Sequence, residues 1–95
     1  MKAAVFCARP LSAFVVYALL PDGIDEIVSA IGADFCAEAV ARKLGCPCNI
    51  TRSVCEAIEQ ADFVFVIWDG LSKEMVNAAK QAKEHGKKTM FSFIP

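Results

Sequence analysis

Short continuous apolar runs alternate along this chain with segments whose apolar residues recur every three or four positions, the pattern of strands alternating with helices. Residues 3–7 are the first such run. Pro10 suits the first turn of a helix reaching residue 20, with Leu11, Phe14, Val15, Ala18 and Leu19 on one face and Pro21-Asp22-Gly23 as its stop. Residues 24–29 predict a second strand. Asp34 is placed to cap a helix whose apolar side carries Phe35, Cys36, Ala39, Val40 and Leu44, and Gly45 suits its left-handed C-terminal position. A brief third strand follows over 46–50.

Ser53 and Glu56 form a capping-box pair, and Val54, Ala57, Ile58 and Ala61 follow at helical spacing up to Asp62. Residues 63–68 are the most apolar strand of the chain. From near Leu71 a helix is expected to turn Leu71, Met75, Ala78, Ala79 and Ala82 inward and Lys73, Lys80, Lys83 and Glu84 outward, with Gly86 closing it. Lys87 starts a last strand through Thr89, Met90, Phe91 and Phe93. Strands of this continuous apolar kind, joined by helices, predict an α/β fold: a three-layer, doubly wound, Rossmann-like domain with a five-stranded parallel sheet in the order 3-2-1-4-5.

At 95 residues the chain has room for one domain, residues 1–95. Hydrophobic residues make up 56% of it, more apolar surface than so small a core readily hides, so self-association as a dimer is expected. A formal charge of −1 supplies no basic face for nucleic acid or a membrane surface. Arg9 and Pro10 interrupt the N-terminal apolar stretch, and the run 11–20 is about half the length that crosses a bilayer, so a soluble cytoplasmic protein is expected. The five cysteines, Cys7, Cys36, Cys46, Cys48 and Cys55, are odd in number and scattered, which reads as reduced thiols. Cys46-Pro47-Cys48 with Cys55 or His85 could supply zinc ligands, but its spacing lacks the two-residue gap of zinc knuckles and no second pair exists. No metal or cofactor is therefore expected.

The parallel order places a switch point between strands 1 and 4, where open α/β sheets bind ligands at their carboxyl edge. Cys7, Ala8 and Arg9 would face Trp68, Asp69, Gly70 and Ser72 there, with Ala30-Ile31-Gly32 at one side. Each residue also has a structural reading. Trp68 can stack on a ligand or fill a core or dimer contact. Asp69 can be a turn residue, Arg9 can pair with Asp69 or Asp34, and Asp34 can serve the helix instead of a ligand.

Three stretches carry a family resemblance: Asp25-Glu26-Ile27-Val28-Ser29 followed by Gly32-Ala33-Asp34; Ala61-Asp62-Phe63-Val64 through Trp68-Asp69-Gly70-Leu71-Ser72; and Ala79, Ala82, Gly86 and Lys87. Together they resemble a small SLOG-type Rossmannoid protein of the YspA-like branch, related to the cytokinin-activating phosphoribohydrolase and DprA superfamily. The resemblance implies a nucleotide or nucleotide-derived ligand at the carboxyl edge, held by Arg9, Gly32, Asp34, Trp68, Asp69, Gly70 and Ser72.

The chain also departs from that family. Cys7-Ala8-Arg9 replaces Gly-Ser-Arg, the glycine loop contracts to Ser29-Ala30-Ile31-Gly32-Ala33-Asp34, and Ser72-Lys73-Glu74-Met75 replaces Ser-x-Gly-Thr. Fewer glycines let fewer backbone amides approach a phosphate. The related phosphoribohydrolases and nucleoside deoxyribosyltransferases place a catalytic glutamate where this chain has Ala78, and alanine cannot act as a nucleophile. Glu74, one turn earlier on the same face, is the carboxylate placed to substitute in a weak N-glycosidic hydrolase or transferase. The expectation is a binding module with altered or lost catalysis; the alternative is an oligomerisation or interaction protein on a relic scaffold.

Overall fold

The computed structural model describes residues 1–7, 16–18 and 20–93. Strands β1 (Lys2–Cys7), β2 (Glu26–Ala30), β3 (Cys48–Thr51), β4 (Phe63–Trp68) and β5 (Lys88–Phe93) form one sheet, with helices α1 (Ala37–Leu44), α2 (Val54–Gln60) and α3 (Lys73–Glu84) joining the strands from β2 onward. Every pairing is parallel and the order is β3-β2-β1-β4-β5, as the alternation of patterns implied.

Side chains of a strand point alternately to its two faces, so a sheet of continuous apolar strands needs cover on both. Ala4, Phe6, Val64 and Val66 face α2 and α3, where Ile58, Met75, Ala78 and Ala82 complete one core. Ala3, Val5, Phe63, Phe65 and Ile67 face the other way and pack with Val16 and with Ala37, Val40 and Ala41 of α1. Complete burial of a phenylalanine, isoleucine or valine contributes about 1.5–3 kcal/mol, which makes β1 and β4 the main source of stability.

The buried polar side chains tie strand ends together. Ser29 donates to the carbonyl of Val5 at 2.6 Å and lies 3.3 Å from that of Ala33, while Thr51 hydroxyl contacts reach the carbonyls of Ser53 at 2.7 Å and Ser29 at 3.1 Å. Asp62 closes the amino edge: its carboxylate accepts the Lys2 N–H at 2.9 Å and its own N–H donates to the Lys2 carbonyl at 2.8 Å.

Several local expectations are corrected. β2 begins at Glu26 and β3 at Cys48, two residues later than the apolar pattern suggests, because parallel pairing starts where β1 and β2 offer partners. The helix of 34–44 is capped by Cys36 without a side-chain hydrogen bond, so Asp34 is not its cap. Cys36 and Val40 face the core as expected and are joined there by Ala37 and Ala41, whereas Phe35, which precedes the helix, and Ala39 are exposed. Leu71 is also outward, 86% exposed, since α3 begins only at Lys73. Most of the helix expected over 10–20 lies outside the described residues; within 16–18, Val16 is buried and Ala18 exposed, opposite to the expected face. The two positions stand about 200° apart around a helix, so burying one exposes the other.

At α2 the capping box holds as expected, with Ser53 Oγ accepting the Glu56 N–H at 3.2 Å. Ser53→Ala is expected to cost about 1 kcal/mol in urea unfolding, and Asp34→Ala less than about 0.5 kcal/mol. Equal losses in the two variants would contradict this assignment of caps.

Candidate functional site

The turn after β2 is held from three sides. The Ala33 N–H bonds to the Ala30 carbonyl at 3.0 Å, the Ile31 N–H to the Thr51 carbonyl at 3.0 Å, and the Cys7 N–H to the Ala33 carbonyl at 2.9 Å. Gly32 takes the third position of this turn with φ +91°, a conformation that favours glycine, and open space surrounds it. Beside it lies a crevice of about 280 Å³ lined by Ile31, Gly32, Ala33, Val54, Glu74 and Met75. β-to-α connections and the starts of α2 and α3 build this crevice, so it opens at the carboxyl edge of the sheet.

Of the residues expected to hold a ligand, Gly32 alone lines the crevice among the described residues, joined by Ile31 of the loop expected beside the site and by Glu74. Arg9 lies outside the described residues. Trp68, Asp69, Gly70 and Ser72 form a self-bonded turn instead. The Trp68 indole N–H donates to the Ser72 carbonyl at 2.9 Å, and Asp69 Oδ1 accepts the N–H groups of Leu71 and Ser72, each at 2.9 Å. The indole packs on Phe91 and Phe93, with ring centroids 5.5 and 5.8 Å away. Gly70 sits at φ +86°, and a Cβ there would stand 2.8 Å from Phe93 Cε2. The turn therefore aims the first turn of α3, and with it Glu74 and Met75, at the crevice. Asp34 is half-buried at the entry to α1, where its carbonyl accepts the Ala37 N–H at 3.2 Å.

Glu74 is the ionisable side chain of the crevice lining; the rest is apolar or glycine. Ala78, 1% exposed, belongs to the core beneath α3. Val54 was legible from sequence only as a core residue, although its place directly after the Ser53 cap puts it at the carboxyl edge of any parallel sheet. The Cys46-Pro47-Cys48 thiols are half-buried against the α1-side core and are not gathered with Cys55 or His85. Burial, reinforced by the nearby Glu38 carboxylate, pushes the Cys48 thiol up to about 11, which disfavours a thiolate at neutral pH. Among the described residues no helix is long and apolar enough to cross a membrane.

No protein-family model, curated protein or solved structure matches this chain.

Gly70→Ala is expected to destabilise the protein by about 1–2 kcal/mol through its left-handed backbone. Tryptophan fluorescence should shift to the red as the 68–72 turn loosens its hold on Trp68. Unchanged stability and emission would show that the turn does not depend on this glycine.

Proposed function

We propose that this chain is a cytoplasmic, non-catalytic binding module for a nucleotide-derived small molecule, which it takes by the nucleoside portion. The crevice at the carboxyl edge carries this reading: its volume of about 280 Å³ is just below the roughly 300–1,000 Å³ typical of small-molecule sites. Its apolar walls, Ile31, Ala33, Val54 and Met75, suit a flat base, and the Glu74 carboxylate can accept from an exocyclic amine or a ribose hydroxyl. The same carboxylate repels phosphate. Ala78 within the core supports the absence of glycosidic cleavage, because no carboxylate stands at that position of α3.

Adenosine at a hundred times its Kd should stabilise the folded chain by about 2.7 kcal/mol, read as a rise in thermal midpoint. Glu74→Gln should improve AMP binding relative to adenosine about fivefold, since one exposed charge near a phosphate is worth about 1 kcal/mol in water. Failure of adenosine, AMP, ADP-ribose and NAD to raise the midpoint at millimolar concentration would exclude the binding reading.

A second reading, homodimerisation, draws on β5. This strand is an edge of the sheet, yet Met90, Phe91 and Phe93 on it are exposed, Phe93 by 58%. Val76 and Phe91 also flank a hollow of about 350 Å³ between α3 and β5. Antiparallel pairing of two β5 edges around a twofold axis would satisfy both backbones and cover these side chains. Sedimentation at high concentration should show a dimer that Phe91→Lys converts to monomer; a wild-type monomer would dismiss this assembly.

A further inference from the structure

Away from the crevice lining, α2 and the C-terminus of α3 bring together a thiol, a carboxylate and an imidazole. Cys55 and Glu59 stand one turn apart on α2, hence on one face of it, and His85 caps α3. Cys55 Sγ lies 3.7 Å from Glu59 Oε1 and 3.9 Å from His85 Nε2, and the imidazole and carboxylate are 4.0 Å apart. This is the grouping of histidine, cysteine and acidic side chains among the described residues whose ligand atoms all lie within 4.8 Å of one another.

These distances are close to those around a tetrahedral metal. Zinc bonds of about 2.3 Å to sulfur and 2.0–2.2 Å to nitrogen and oxygen separate the ligand atoms by roughly 3.3–3.6 Å. The three side chains thus need to close by well under about 1 Å. All three are exposed, so small rotamer adjustments meet no core packing.

A second observation concerns the proton of His85. Its Nδ1 lies 2.8 Å from the Gln81 carbonyl, which can only accept, so Nδ1 carries the hydrogen, and in the neutral imidazole Nε2 then turns its lone pair toward the thiol and the carboxylate. Metal-bound histidines have this arrangement, the outer nitrogen donating to a carbonyl that fixes tautomer and ring orientation. Lys87 does not compete for the carboxylate; its ammonium approaches the Glu59 backbone carbonyl at 3.5 Å.

We propose that Cys55, Glu59 and His85 bind one zinc ion, which fastens α2 to the end of α3 and leaves a fourth coordination position for water. Cys55 binds as thiolate, its proton passing to solvent. Thiolate with imidazole selects zinc and its borderline neighbours over magnesium and calcium.

Cobalt(II) titrated into the full chain under a non-thiol reductant is the test. One equivalent should produce a thiolate-to-cobalt charge-transfer band with intense visible bands of tetrahedral geometry, and zinc should bleach both. Cys55→Ser and His85→Ala should each weaken cobalt by more than about 100-fold, beyond the loss of an outer-shell partner, and Glu59→Gln by about tenfold. Cys48→Ser should leave the titration unchanged. Circular dichroism of each variant checks that it is folded. Absence of the charge-transfer band, or its survival in folded Cys55→Ser, would overturn the proposal.

Discussion

Burial of β1 and β4 on both faces is the constraint from which the rest of the molecule follows. Residues 3–7 and 63–67 are buried without interruption, and their backbones can be satisfied only by strands on either side. Both faces then need helices, which places α1 opposite α2 and α3. The sheet ends fall to β3 and β5, and these differ in character. β3 is short and presents Asn49, which donates to Gln60 at 2.7 Å, whereas β5 presents aromatic side chains.

The same arrangement brings the β2, β3 and β4 exits to one edge, where the crevice opens. Its position depends on polar groups satisfied within the protein. Ser29 and Thr51 bind strand-end carbonyls, and the hydrogen-bonding groups of Trp68 and Asp69 secure the start of α3. An indole and a carboxylate at a strand's carboxyl end suggested ligand contacts. Here they support residues that do face the opening, a role invisible without the turn's geometry.

Hydrophobic period distinguishes a strand from a helix and an inner from an outer face, so the five strands, their parallel order and the Ser53 cap of α2 were legible. The start of a helix is less so, because it depends on how the preceding loop closes. Asp34 offers a good capping side chain, but the Cys7–Ala33 hydrogen bond holds the chain so that α1 begins beyond Cys36. The error passed on to Phe35, which precedes the helix. Leu71 was misplaced for a similar reason, since Asp69 holds the Leu71 and Ser72 amides in a turn and delays α3.

The sequence by itself determined the alternation of elements, the buried strand pair and hence the edge at which a crevice could form. Only the tertiary structure decided that Val54 meets Ile31, Glu74 and Met75 there, and that Cys55 meets His85 from 30 residues away. Periodicity records which side of an element avoids water. It carries no information on how two helices are rotated and offset against each other, and that is set by packing on the sheet between them and their neighbours.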